Sequence, residues 1–520
     1  MGGVVAAGHR RTAAAAVEVL SQGGNAFDAA VAGGLAACVA ESVLTSLAGG
    51  GFLLAHAPTE APVLFDFFSQ TPVSKTVEHS LDFYPIHADF GDAVQEFHIG
   101  LGAMAVPGVV KGLVHVHQRL GRLPLAVVAA PAISLARGGV IVNDFLAYVY
   151  QLLSPILLAT ERSRGIYAPG GELLKSGDTL YMPAFAQALE RLVADGMEAF
   201  WAWMAADLTQ AKGGYLTAQD FERYQVIERP PLCLDYHGTQ LLTNPPPSAG
   251  GGLIACSLAL LADCDLQTHG SAEHLLSLSQ VMRLTNVARR DGYDARIHEP
   301  GVAEQFLSVQ HLDQYRGELQ GAIASLHPAN TARNTINKLG STTHLSVMDD
   351  DGNAASLTTS NGEGSSHVIP GSDIMVNNML GEEDLNPHGF HQWQPNQRIS
   401  SMMAPTMVLR DGRPYLVLGS GGSNRIRTAI LQVISNLVDF NMPLESAVAA
   451  PRIHWENNTF HLEPGYDRTV LEPIIGDASP VWWQSQNMFF GGVHAVCCSD
   501  DGGLHGAGDH RRQGAVAVAR

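Results

Sequence analysis

The stretch Gly340-Ser341-Thr342-Thr343-His344-Leu345-Ser346-Val347, continued by Met348-Asp349-Asp350-Asp351-Gly352-Asn353 and Ala354-Ala355-Ser356-Leu357-Thr358-Thr359-Ser360, decides how this chain is read. A small polar segment runs straight into a strand that begins with two threonines. The Asp351-Gly352-Asn353 turn then sends the chain back, so the pattern predicts a β-hairpin over 343–349 and 354–360. Such a hairpin is an odd place for chemistry unless the backbone is cut just ahead of it. Cleavage between Ser341 and Thr342 would give Thr342 a free α-amino group beside its own hydroxyl, so nucleophile and base would share one residue. That amine has a reference pKa of ~7.7–8.0 and accepts a proton near neutrality; in the uncut chain the same nitrogen is an amide and does not. An isolated Thr-Thr pair is ordinarily just β-branched strand sequence. The decision therefore rests on what surrounds it.

Upstream, residues 12–40 read as alanine-rich helices broken near Gly23-Gly24, the composition of a helix packed closely on its neighbours. Ser46–His56 and Pro62–Phe68 read as turn-and-strand segments, and 109–120 and 123–138 as helices. Residues 180–210 read as helical, with Thr217 as the N-cap of a further short helix. Arg229–Leu242 alternates like strands. Prolines 245–247 force an extended approach to a helix around Gly251–Leu261. Residues 303–340 are more polar, and Pro328–Thr335 reads as a mobile surface segment, where a cleavable junction belongs. Downstream of the hairpin, strands are expected near 372–377, 414–419, 493–498 and 514–519. A loop is expected at 381–400 and a long helix at 424–438. Strands bracketed by helices imply sheets covered by helices; the pattern alone leaves α/β/α and α/β/β/α layering open.

Composition narrows the partners. The 520 residues are 46% hydrophobic and 16% charged, the balance of a globular protein with a large core. A net charge of −19 without a long basic run argues against nucleic acid or an anionic membrane as partner. No run reaches the ~18 consecutive apolar residues of a membrane span. No basic-then-apolar leader is visible at Met1-Gly2-Gly3-Val4, so a cytoplasmic location is expected, or export if a leader is missing from this chain. Six scattered cysteines do not make a disulfide framework, and the adjacent Cys497 and Cys498 point to opposite faces of a strand. The 22 histidines show no metal-ligand spacing; His115 and His117 diverge on a helix, so no metal is expected.

The wording of the 340–347 segment resembles the γ-glutamyltranspeptidase family of N-terminal nucleophile hydrolases. Other segments follow in family order: Gly23-Gly24-Asn25-Ala26-Phe27-Asp28, Ala48-Gly49-Gly50-Gly51-Phe52, Val106-Pro107-Gly108, Pro245-Pro246-Pro247-Ser248-Ala249-Gly250-Gly251, Asn377-Asn378, Gly419-Ser420-Gly421-Gly422-Ser423 and His505–Ala515. The resemblance spans essentially the whole chain. It implies an α/β chain of the α+β type, folded as a four-layer αββα sandwich. It implies self-cleavage into residues 1–341 and 342–520, which stay together as one heterodimeric unit. It also implies an enzyme that cleaves γ-glutamyl or similar acyl amides of small molecules through an ester on Thr342, passing the acyl group to water or to an amine. No cofactor is implied.

Carried over residue by residue, the resemblance puts Ser360 in the place of a threonine that hydrogen-bonds the nucleophile, with Thr343 as a second orienting hydroxyl. Gly421 and Gly422 become the donors of an oxyanion hole. Asn378 and the Glu382-Glu383-Asp384 cluster fall where the family binds the glutamyl ammonium group. Ser400 and Ser401 fall near its carboxylate contact. Counting back from Pro405 puts Ser401 and Met402 at the two serine places, and counting from the serines keeps both, so the matching serine stays open. Arg425 reads as structural. Phe68 stands where the family has an arginine for the substrate α-carboxylate, and Lys75 is no bidentate replacement. Met379 stands where a polar residue is usual, and the 382–400 loop is short for a lid. These departures keep a glutaryl-β-lactam-type acylase open beside γ-glutamyl chemistry. A dinucleotide-binding oxidoreductase built on the glycine turns at 49–51 and 419–422 is the alternative from another class; the strand there is not followed by G-x-G-x-x-G.

Overall fold

The hairpin forms over Thr343–Asp349 and Ala354–Ser360, paired antiparallel from Thr343 with Thr359 to Met348 with Ala354. The Asp349 carboxylate holds the turn, accepting from the Asp351 and Asn353 backbone N–H groups and from the Asn353 side chain. It also accepts from Ala26 N at 2.8 Å, which ties the hairpin to the first turn of the helix Ala26–Ala40. That helix starts with a capping box between Asn25 and Asp28. All 15 of its residues are buried, as its alanine and glycine content requires. The computed structural model describes residues 2–75, 80–89, 94–325, 340–456, 459–475 and 479–520.

The hairpin is the centre of a seven-stranded antiparallel sheet. In spatial order its strands are Ala515–Ala519, Gly3–Ala7, Thr343–Asp349, Ala354–Ser360, Gly50–His56, Val63–Phe67 and Ile227–Arg229. A second antiparallel sheet of six strands packs on it, in the order Leu504–Ala507, Gly492–Cys498, Arg413–Gly421, Thr406–Arg410, Thr239–Thr243 and Leu232–Tyr236. Each sheet is built from strands that precede residue 341 and strands that follow it.

Period-two alternation sorts the faces of the first sheet. Val5, Ala7, Leu345, Val347, Ala355 and Leu357 share one core with the helices Arg10–Ser21 and Ala26–Ala40. Val4, Ala6, Phe52, Leu54, Met348 and Ala354 turn the other way, into a core with Leu242, Val408, Leu416 and Val493 of the second sheet. The helices Ala249–Leu261 and Arg425–Val438 cover the far side of that sheet, and Ala272–Ala288 packs outside them. The layers are helix, sheet, sheet, helix, as the resemblance implied. Polar groups cross between the sheets: Ser346 Oγ donates to His494 O and Ser356 Oγ to Leu418 O, both at 3.0 Å. Each such bond contributes ~1 kcal/mol net, and more would be lost if a buried partner were left unpaired.

Several expectations need adjustment. Residues 180–210 form two helices, Pro183–Asp195 and Met197–Gln210, because Gly196 at φ +82° breaks the run. The expected turn at 419–422 is partly strand, since Arg413–Gly421 runs through it. The strand near 372–377 shrinks to Ile374–Met375, paired with Val368–Ile369. The polar 303–340 region holds a helix, Val309–Ser325; Pro328–Thr335 lies outside the described residues. Thr217 caps its helix through a capping box with Asp220. Cys497 is buried, Cys498 less so, and both are free thiols. Among the described residues, no helix is long and apolar enough to cross a membrane.

Candidate active site

Carrying the hairpin register one pair outward sets Ser360 across from Thr342. Thr342 is 6% exposed, and the two backbone carbonyls flanking the Ser341 carbonyl are bound by one side chain. Arg512 Nη2 donates to Gly340 O at 3.4 Å and Nη1 to Thr342 O at 3.3 Å. The carbonyl between them, that of Ser341, accepts from Ser360 Oγ at 2.5 Å. Ser360 Oγ accepts in turn from Gly362 N at 3.1 Å. The resemblance put the Ser360 hydroxyl on the nucleophile; in the uncut chain its proton is aimed one carbonyl earlier, at the oxygen of the bond expected to break. Thr343 also differs from expectation. Its Oγ1 donates to Glu41, because successive residues of an extended chain face opposite ways, so it is not placed to orient Thr342.

Two buried carboxyls serve this segment, and neither stood out in the sequence. Glu363 accepts from Ser341 N at 3.1 Å and from Ser341 Oγ. Glu41 accepts from Thr343 Oγ1 and from Thr12 Oγ1, the latter at 2.6 Å. Burial pushes each carboxyl up to about 7, against the pull of its hydroxyl donors and of Arg512. Arg512 is itself lowered to about 10 by burial and stays protonated. Faint signals existed for all three. Glu363 is an acid flanked by glycines three residues after Ser360, Glu41 ends an almost uncharged helix, and Arg512 lies in the matched C-terminal segment.

A cavity of about 400 Å³ opens onto Gly340, Ser341, Thr342 and Ser360. Its walls include Glu382, Asp384, Ser400, Ser401, Ser423 and Asn424, which bring part of the expected set together. Asp384 accepts from Ser423 Oγ at 2.7 Å. Ser401 is fixed by its backbone, its carbonyl accepting from Ser248 Oγ and Ala249 N, while Ser400 lines the wall beside it. Four other expected residues stand elsewhere. Asn378 is fully buried, and its Oδ1 accepts from Glu363 N and Gly364 N, so it holds the loop that carries Glu363. Glu383 is exposed in the short turn Glu383–Leu385 and does not line the cavity. Gly421 and Gly422 lie behind the wall: a side chain on Gly421 would strike the Thr342 carbonyl oxygen, and Gly422 at φ +127° backs onto Gly491 and Arg512.

Among the described residues, the two arginines of the cavity wall are committed to acids. Arg289 Nε pairs with Asp294 at 2.6 Å. Arg398 lines the wall but turns its guanidinium to Phe68 O, Gln225 O and Asp66. Phe68 is buried in a stack on Phe52, ring centroids 5.3 Å apart. Lys75 donates to His391 O and sits over the Trp393 ring. Met379 lines the cavity as an apolar surface. Arg425 is structural as expected, donating to Phe489 O from a buried position. His344 lies between the sheets, bonded to Thr358 and Ser346 and held well below its ordinary pKa by burial; it is a neutral strut.

With this geometry in view, the chain can be compared with known proteins. The γ-glutamyltranspeptidase family profile matches residues 12–519. The glutathione hydrolase proenzyme of Escherichia coli is 31% identical, over 98% of this chain and 90% of its own length. The acylase ACY 1 proenzyme of a Pseudomonas species is 31% identical, over 99% of this chain and 94% of its own. The crystal structure of cephalosporin acylase from Bacillus halodurans matches the fold with a TM-score of 0.85 at 23% identity, covering 99% of this chain and 95% of that one. These matches displace the oxidoreductase alternative. The chain is an enzyme and belongs to the γ-glutamyltranspeptidase family.

Proposed function

We propose that this enzyme is a self-processing threonine amidohydrolase or transpeptidase. Its chain is cut between Ser341 and Thr342, and Thr342 then cleaves γ-glutamyl or similar acyl amides. One observation carries this reading: the Ser341–Thr342 peptide lies on the wall of the acidic cavity with a hydroxyl donor 2.5 Å from its carbonyl oxygen. In the first reaction the Thr342 Oγ–C bond forms and the Ser341 C–N bond breaks. The hydroxyl proton ends on the departing nitrogen, and water hydrolyses the resulting ester. In turnover the freed α-amine takes the Oγ proton, Thr342 attacks the substrate carbonyl, and the leaving amine departs with that proton. Water or an acceptor amine then takes the acyl group. Donors at the Gly421–Gly422 strand end would stabilise the oxyanion once Ser341 has withdrawn.

The acyl ester predicts a mass increment on the 342–520 fragment after rapid acid quench with a slow substrate. Steady turnover with no increment would favour direct attack by water instead.

A second reading within the same chemistry has its own support. The cavity's guanidinium groups are committed to acids, and Phe68 fills the place of the family arginine. This favours acyl groups that lack an α-carboxylate, as in an acylase.

A further inference from the structure

Glu363 accepts two hydrogen bonds at its carboxyl, and both come from Ser341. Its backbone is fixed independently, since the Asn378 side chain accepts from Glu363 N at 2.8 Å and from Gly364 N at 3.1 Å. The carboxyl lies behind the cavity wall, with Ser341 standing at that wall. Ser341 is thus gripped at its nitrogen and its side chain by Glu363 and at its carbonyl oxygen by Ser360. Those contacts leave it little rotational freedom, which is the condition for an intramolecular attack by the next residue.

We propose that Glu363 is a positioning residue for self-cleavage. It fixes the residue on the acyl side of the bond so that the Ser341 carbonyl faces the Thr342 hydroxyl, and the cut then releases its carboxyl to the cavity. The inference rests on the reading of Thr342 as the nucleophile. Glu363 takes up no proton in the step, in which the Oγ–C bond forms, the C–N bond breaks and the hydroxyl proton ends on the departing nitrogen. The grip depends on charge. An ionised carboxylate accepts from both Ser341 donors, whereas a protonated one spends an oxygen on its own O–H. The charged groups acting on it are Arg512 and Asp384, and Arg512 in turn feels Arg425, Asp509 and Glu41.

The test follows self-cleavage of the full chain made by cell-free translation, by gel time course from about pH 6 to about pH 9. Wild type is compared with Glu363→Gln, which keeps the shape but never carries charge. Glu363→Gln is expected to be about tenfold slower at about pH 8. The ratio of the two rates should close towards one as the pH falls through about 7, where Glu363 protonates. Both proteins carry Glu41, so its titration cancels in the ratio. Equal rates, or a ratio that does not change with pH, would overturn the proposal, because a purely structural contribution has no reason to follow the charge. Should Glu363→Gln fail to fold, Ser341→Ala carries the test. It removes one of the two donors at the cavity wall and is expected to slow cleavage about threefold or more; an unchanged rate would overturn the proposal. Thr342→Ala runs beside them. If it is cut, the nucleophile reading falls as well; if it stays whole while Glu363→Gln keeps pace with wild type, only the role of Glu363 falls.

Discussion

Ser360 donates to the carbonyl oxygen that would become negative when Thr342 attacks. In other hydrolases, loss of one such donor slows the reaction ~10²–10³-fold. Ser360→Ala is therefore expected to slow self-cleavage ~100-fold, and Ser360→Thr, which keeps the hydroxyl, to stay much closer to wild type in a gel time course. Equal, wild-type rates in all three would remove Ser360 from the chemistry. Phe68 makes a second prediction. Among the described residues the cavity-wall guanidinium groups, Arg289 and Arg398, are both committed to acids, so 4-aminobutyryl anilide, which lacks the α-carboxylate, should be cleaved with kcat/KM within ~10-fold of γ-glutamyl anilide. A larger loss would mean that Arg289 or Arg398 leaves its acid partner to bind substrate. Thr342, Ser341 and Ser360 were legible because they sit at fixed offsets around one hairpin. Glu41, Glu363 and Arg512 were not, because their importance comes from contacts across the fold; Glu41 and Thr343 are 302 residues apart. Asn378 was placed in the right neighbourhood with the wrong task, since sequence order does not show which way a buried amide points.

The helix Ala26–Ala40 ends at Glu41, and this element sets a pH dependence of stability. Burial raises the Glu41 pKa from 4.5 to about 7 in the folded chain. A carboxyl raised on folding favours the fold below its unfolded pKa, and that contribution is lost as the pH rises through the folded value. Each unit is worth ~1.4 kcal/mol, so ionising Glu41 costs about 3 kcal/mol. In the uncut Thr342→Ala protein, denaturant midpoints should therefore fall as the pH rises from about 4.5 to about 7 and level off above it. Adding Glu41→Gln should remove the part of the fall that belongs to Glu41 and leave that of Glu363; an undiminished fall would show that Glu41 does not titrate there. Secondary structure was legible wherever one period dominated. The hairpin followed from its alternation and Asp-Gly-Asn turn, and the buried helices from their alanine runs. The single run expected over 180–210 failed at Gly196, whose left-handed φ ends one helix and starts the next. The strand through Gly419–Gly421 was hidden because glycine carries no strand preference, and pairing with the strand Gly492–Cys498 decides it.

At the scale of the molecule, the strand order joins chemistry to architecture. Thr343–Asp349 sits between Gly3–Ala7 and Ala354–Ser360, and in the second sheet Thr406–Arg410 pairs with Thr239–Thr243. Neither 1–341 nor 342–520 can complete a sheet alone, so the cut pieces should co-elute as one species under native conditions and separate only on denaturation. The layer order was not legible from periodicity, which fixes the face of each strand but not what covers it; it came from the resemblance, and the shared cores bear it out. The central claim is that Thr342 is freed by its own attack on the Ser341 carbonyl. N-terminal sequencing of the smaller fragment, run beside purified Thr342→Ala, tests it most directly. The account predicts a fragment beginning Thr342-Thr343-His344-Leu345 in the wild-type protein and a single full-length band in the variant; a fragment beginning elsewhere, or a variant split at the same bond, would contradict it.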